Sequence, residues 1–419
     1  MVGRQDLGSG VNGRRVAVIG GGWAGIAAAV ELTAAGAAVT LFEAGRVLGG
    51  RARAVEVAGR RLDNGQHILL GGYRDTMALM RQIGADPDRL LARHPLQIMD
   101  NTGFRLTLPR WPAPLNLAWG LLTARGVGWR EKLRTAQWMQ GLKHQEFCLS
   151  GDRSVAEWLD AAGQTGCLRR HLWEPLCLAA LNTPAGEASA QLFANVLRDS
   201  LGSARRADTD LLLPRCDFGR LLAEPAGDWL LAHGATLRYR TRVRTLHAGI
   251  EAVTIDGENY TAAIIATAPQ HAGRLWPALA ENLEYQPIAT IYLQYPPTIR
   301  LPFPLLGLRG PYGQWVVDRG DGLLACVLSG HGAWEEVDDD SLAQRLAEEL
   351  DLGAQPGWQQ VIREKRATFS ARPNLPRPPT TLAPRLFLAS DHSWADYPAT
   401  LEGAVRSGRR AARLVLAAE

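Results

Sequence analysis

Residues 16–25, VAVIGGGWAG, run a short β-branched stretch directly into the spacing G-x-G-x-x-G. Glycine at those three offsets admits few folds. Gly20 permits a tight turn, Gly22 leaves the backbone bare where a phosphate approaches, and Gly25 lets a helix pack closely on the preceding strand. Trp23 to Ala35 is alanine-rich, Gly36 supplies a stop, and Val39 to Phe42 reads as a second strand, which completes a βαβ unit. A helix that starts at such a turn offers free N–H groups and its positive dipole end to an anion. Glu43, at the end of the second strand, is placed to accept hydrogen bonds from adenosine ribose hydroxyls. A carboxylate there disfavours a 2′-phosphate, which argues against NADP and leaves FAD or NAD.

The rest of the chain suggests how that unit is completed. A hairpin is expected over 54–70, and 237–268 alternates as strands around the turn Asp256-Gly257 before the apolar run Ala262 to Ala266. Near the C-terminus, Leu386 to Ala389 reads as a strand and Thr400 to Leu416 as a helix. A chain of 419 residues exceeds what one hydrophobic core usually spans, so two domains are expected. The predicted class is α/β: a Rossmann-like dinucleotide-binding domain assembled from 14–95, 205–280 and 376–419, with an α+β substrate domain from 96–204 and 281–375. Its 95–200 part reads as mostly helical and 285–370 as strand-rich, with strands at 286–295, 314–318 and 322–329. Residues 1–13, polar and glycine-rich, are expected to be a disordered leader.

Composition excludes several partners. The 46 basic residues are interspersed with 42 acidic ones for a net charge of +4, so a nucleic-acid partner is not expected. Cys148, Cys167, Cys177, Cys216 and Cys326 are widely spaced without a C-x-x-C, which suits free thiols in a cytoplasmic setting and argues against a zinc site. No apolar run reaches the roughly 18 residues of a membrane-spanning helix. Trp111, Trp119, Trp129 and Trp138, interleaved with Leu115, Leu117, Leu121 and Leu122 and flanked by Arg125, Arg130, Lys132 and Arg134, suit peripheral contact with the inner face of the plasma membrane. Ordinary core packing accounts for the same residues equally well.

Leu48-Gly49-Gly50-Arg51-Ala52-Arg53 resembles the second glycine motif of the flavin amine oxidase and phytoene desaturase superfamily. Ala266-Thr267-Ala268-Pro269 resembles that superfamily's A-T-A-P segment, and Ser390-Asp391 with 397–404 (YPATLEGA) its C-terminal flavin motif. The resemblance implies FAD held by Gly20, Gly22, Gly25, Glu43, Gly49, Gly50, Arg51, Asp391 and Leu401. Ser390 stands where the superfamily commonly has glycine, and Thr400 suits a helix N-cap as well as a flavin contact.

Three further segments, 62–69 (LDNGQHIL), 364–369 (EKRATF) and 391–394 (DHSW), are similar to the hydroxysqualene dehydroxylases, the squalene-associated FAD-dependent desaturases of bacterial hopanoid synthesis. That resemblance implies reductive removal of a hydroxyl from a long-chain isoprenoid, which needs a proton donor for the departing oxygen and an apolar tunnel. His67 is the donor expected, with Asp63 as its orienting or acidic partner. Lys365 reads either as a group near the flavin or as a surface salt bridge. An amine oxidase or polyene desaturase shares every FAD motif, and a non-catalytic FAD-binding partner of a prenyl-transferring enzyme stays open beside them.

Overall fold

The βαβ unit forms where the glycine spacing places it: β1 (Arg15–Ile19), α1 (Trp23–Ala34) and β2 (Ala38–Phe42). The computed structural model describes residues 13–279 and 283–418, so the leader expected over 1–13 lies, Gly13 apart, outside the described residues. A six-stranded sheet is ordered Thr236–Arg238, β2, β1, Ala262–Ile265, Leu386–Leu388 and Thr381–Ala383; all but the last strand run parallel.

Alternation along β1 explains its unbroken apolar run. Val16 and Val18 face a core shared by α1 and the C-terminal helix Leu401–Ala417, whereas Ala17 and Ile19 face a second core containing Tyr260 and Val253. A parallel strand buried on both faces has no polar side to display. Burying each such aliphatic side chain contributes about 1.5–3 kcal/mol. The second core is closed by a three-stranded meander whose turn is Asp256-Gly257, both at positive φ, as the sequence predicts.

Beyond β2, the hairpin of β3 (Ala54–Val57) and β4 (Arg60–Asp63) carries the chain toward a five-stranded antiparallel sheet. Its order is Leu305–Gly307, Trp315–Asp318, Leu323–Ser329, Tyr285–Gln294 and Trp358–Phe369. Along the strand Tyr285–Gln294, Ala289, Ile291 and Leu293 pack with the helix Asp339–Leu350. Thr290 and Tyr292 take the opposite face, toward residues 63–66. Helices dominate 115–199, as composition predicts, although two short strands, Gln97–Met99 and Arg105–Thr107, precede them.

Candidate cofactor and active site

The end of β1, the start of α1 and the segment after β2 form one cradle. A Cβ on Gly25 would sit 1.9 Å from the Gly20 carbonyl oxygen, so close packing of helix on turn requires glycine there. Gly22 bridges to Gly49, and Gly50, at φ +61°, lies against it so closely that a Cβ would come within 3.0 Å of the Gly22 Cα. A Cβ on Gly22 would meet nothing nearer than 3.9 Å, so its backbone is bare. No side chain caps α1 and no acid occupies its first turn, which leaves its N–H groups and positive dipole end for an anion.

One buried polar atom beside the Gly20 turn, Thr267 Oγ1, has no hydrogen-bond partner within the protein. Glu43 accepts hydrogen bonds from the Gly21 and Gly45 amides at 2.8 and 2.5 Å and is only half-buried, so lone pairs remain for further donors. A bare cradle, a dipole end, a carboxylate and an orphaned hydroxyl together fit a dinucleotide, whose pyrophosphate Gly20, Gly22 and the start of α1 would hold.

The cradle is closed from the far end of the sequence. Arg51 donates to the Ala367 carbonyl at 2.6 Å and to Asp391 at 2.5 Å. Burial works to raise the Asp391 pKa, but the Arg51 charge and hydrogen bonds from Arg51 and Ser390 hold it below the ordinary carboxylate range. Ser390 has φ −163°, extended backbone that any residue adopts, so glycine is not required there. Its hydroxyl donates to Asp391 and lies 2.5 Å from His392 Nδ1, which ties the three residues together. Burial pushes His392 down to about 4, so it is neutral near pH 7.

The helix that follows begins at Leu401, and Thr400 is its N-cap, accepting from the Gly403 amide at 3.0 Å. Glu402, fully buried, accepts from the Asp75 and Thr76 amides and from the Thr76 hydroxyl. It thereby caps the helix Arg74–Gln82, whose own N-cap, Tyr73, contributes no side-chain hydrogen bond.

His67 stands on the loop after β4, half-buried, with Nδ1 2.7 Å from the Gly65 carbonyl. A carbonyl only accepts, so Nδ1 carries a proton and Nε2 is the reactive nitrogen. Its ring packs on Phe218 at 4.9 Å between centroids, and Phe218 packs on Trp23 at the start of α1. Burial, aided by the Arg51 charge, lowers the His67 pKa.

Asp63 and His67 do not pair with each other. The Asp63 carboxylate accepts from the Phe218 amide at 2.7 Å and forms an ion pair with Arg319 at 3.3 Å, without hydrogen-bond alignment on that oxygen. Burial pushes Asp63 up to about 6, with Arg319 and the Phe218 amide opposing the shift. Arg319, Thr290 and Phe218 were not signalled by the sequence: their spacings match no motif, and only the fold brings them to this loop. Lys365 is exposed on the strand Trp358–Phe369.

The tryptophan-rich stretch divides in two. Trp138 packs inward on Trp158 and Trp173, while Leu121 is buried and Leu117 packs against the same core. Trp111, Leu115, Trp119, Leu122, Trp129 and Leu133 are exposed, Trp129 by 69% and Leu122 by 64%. Arg130 lies 5.6 Å from the Trp129 ring and Lys132 bonds the Leu122 carbonyl, so basic groups border this apolar face. Among the described residues no helix is long and apolar enough to cross a membrane, and all five cysteines are free.

A model of the flavin containing amine oxidoreductase family matches residues 23–416. A hydroxysqualene dehydroxylase of Rhodopseudomonas palustris is 33% identical over 430 residues, which span 97% of this chain and 99% of that protein. A probable zeta-carotene desaturase of Synechococcus elongatus is 25% identical, over 97% of this chain and 99% of its own length. Among solved structures, a putrescine oxidase triple mutant superimposes with a TM-score of 0.73 at 17% identity, covering 97% of this chain and 99% of its own. That likeness establishes the fold, and the family establishes FAD as the cofactor and oxidoreduction as the chemistry. With matches over nearly its whole length, the chain belongs to the flavin containing amine oxidoreductases and, within them, to the hydroxysqualene dehydroxylase family.

Proposed function

We propose that this protein reduces hydroxysqualene to squalene, with release of the hydroxyl as water. The observation that carries the reading is the placement of His67: a protonatable group near the Arg51 charge, on a loop pinned against an otherwise largely apolar sheet face. Thr290, which holds that loop, pairs across the sheet with Val327 and Ile362, and both pack with Ile68 and Leu323 against the apolar core. Such a surface suits a hydrocarbon chain and offers few groups to a charged amine.

Gly20, Gly22, Gly25, Glu43, Gly49, Gly50, Arg51, Asp391 and the helix start at Leu401 would hold FAD, which in its reduced form would supply the hydride and be oxidised in doing so. The protein supplies the rest. An allylic C–O bond breaks readily once the oxygen is protonated, because the positive charge spreads over the adjacent double bond. His67, as imidazolium, gives its Nε2 proton to that oxygen, and its lowered pKa makes it the stronger acid. The carbon accepts hydride, the oxygen departs as water, and charge and atoms balance. Asp63 acts on His67 through the loop it anchors. In this reading 14–95, 205–280 and 376–419 bind FAD, and 96–204 with 281–375 hold substrate.

The exposed apolar face with its basic border supports a second element of the proposal, peripheral binding to an anionic membrane surface, from which a water-insoluble substrate enters.

The test is anaerobic: photoreduce the holoprotein, then add hydroxysqualene or phytoene. Flavin reoxidation with squalene formation from the alcohol alone supports the proposal. Hydrogen removal from a polyene by oxidised enzyme would replace it with desaturation, and a yellow protein inert to both would favour a non-catalytic partner.

A further inference from the structure

We infer that Arg319 is the positioning residue for His67, acting from the antiparallel sheet across to the loop that carries the histidine. Arg319 occupies the turn between the strands Trp315–Asp318 and Leu323–Ser329. The turn is rigidly built: the Arg319 amide bonds the Leu323 carbonyl at 2.8 Å, and the Gly320 amide bonds Asp318 Oδ1 at 2.8 Å. From there the guanidinium, 14% exposed, reaches three groups at once. It pairs with Asp63 at 3.3 Å, donates to Gln66 Oε1 at 2.9 Å and reaches the Cys216 carbonyl at 3.4 Å.

Those contacts grip both ends of the 63–67 loop. At one end, Tyr292 donates to the Asp63 carbonyl and the Phe218 amide donates to its carboxylate. At the other, Gln66 receives Arg319 on its oxygen and spends its amide on the His67 carbonyl at 2.9 Å, while its backbone N–H bonds Thr290. The residue next to His67 is therefore oriented by Arg319, and the amide plane of Gln66 transmits that orientation to the His67 backbone. The Arg319 planar fork suits this task because one terminal nitrogen addresses the Gln66 amide oxygen and the other the Cys216 carbonyl, at angles that an ammonium does not fix, while its charge faces Asp63. Misplacement of a catalytic group by about 1 Å costs on the order of 10²-fold in rate.

The inference rests on the proposed role of His67, and a double-mutant cycle keeps the two separable. Holoprotein carrying Arg319→Met, Arg319→Lys, His67→Ala and His67→Ala with Arg319→Met is reduced, mixed with hydroxysqualene and assayed for single-turnover rate, KM and bound FAD. The expected result is full FAD content with a rate about 10- to 100-fold lower in Arg319→Met, KM nearly unchanged, and partial recovery in Arg319→Lys. The double variant should be no slower than His67→Ala alone, since Arg319 acts through that ring. If His67→Ala is slow but the two losses multiply, or Arg319→Met turns over normally, Arg319 does not position His67. Loss of FAD in both Arg319 variants would overturn the inference in favour of a fold-holding role. A normal rate in His67→Ala would instead remove the reading on which it rests.

Discussion

Arg51 and Asp391, 340 residues apart in the chain, meet at 2.5 Å and join the glycine segment after β2 to the short turn that precedes the C-terminal helix. Arg51 also holds the Ala367 carbonyl, so one guanidinium links three distant segments around the cofactor cradle. Arg51→Lys preserves the charge but not the two-pronged geometry. Charge-assisted hydrogen bonds contribute about 1.5–3 kcal/mol each. Replacing either Arg51 or Asp391 by Ala should therefore weaken FAD about 10- to 100-fold, with Arg51→Lys closer to Ala than to wild type. Flavin released on dilution, followed by fluorescence, measures this; wild-type retention in both Ala variants would show that the pair does not hold the cofactor.

Much of this cradle was legible in the sequence because its parts obey local rules. Gly20, Gly22, Gly25 and Glu43 lie within one βαβ unit, where spacing alone fixes turn, approach and acceptor. Thr400 is the cap that its residue type suggests. The surroundings of His67 were not legible, since Arg319, Thr290, Tyr292 and Phe218 come from strands and turns far from it in sequence. Nothing in an Asp-Arg-Gly-Asp-Gly turn announces which loop its arginine will reach. The tryptophan stretch illustrates a subtler failure: composition treats Trp129 and Trp138 alike, but helix phase sends one outward and the other into the core.

Asp63 predicts a pH signature. Its folded pKa, about 6, lies above the ordinary value near 3.9, so the native state binds a proton that the unfolded chain has released. That contribution is fully present below about pH 4 and is lost as pH rises through about 6. Relative to Asp63→Asn, the wild-type protein should lose up to about 3 kcal/mol between pH 4 and 7, then run parallel above it. Denaturant titrations of both proteins across that range test the point. Parallel curves throughout would mean that Asp63 stays ionised beside Arg319.

The exposed face carrying Trp119, Leu122 and Trp129 predicts membrane binding that falls with salt. Large apolar side chains buried at a lipid boundary stabilise association, and the bordering Arg and Lys add attraction to anionic headgroups. Replacing the three by Ser should lower co-sedimentation with phosphatidylglycerol vesicles at least about tenfold, without loss of bound FAD. If wild-type protein stays in the supernatant at low salt, this face has another purpose.

The proton donor gives the most decisive prediction. The His67 hydrogen bond goes to the Gly65 carbonyl and its ring packs on Phe218, outside the Arg51–Asp391 pair, so His67→Ala should leave the cradle intact and FAD bound. If its Nε2 proton reaches the leaving oxygen, turnover should fall by roughly 10²–10⁴-fold. The wild-type rate should also climb as pH falls, because only the imidazolium can donate. With its pKa held below the ordinary histidine value by burial and Arg51, the climb should level off only below about pH 6.5. His67→Ala should lose both the rate and this pH dependence, whereas a bystander histidine would leave both in place. Single-turnover squalene formation and flavin content, measured on one preparation across pH 5–8, separate the outcomes. Loss of FAD together with activity would assign His67 to the cofactor site instead, and a near-normal, unchanged profile would end its role as the acid.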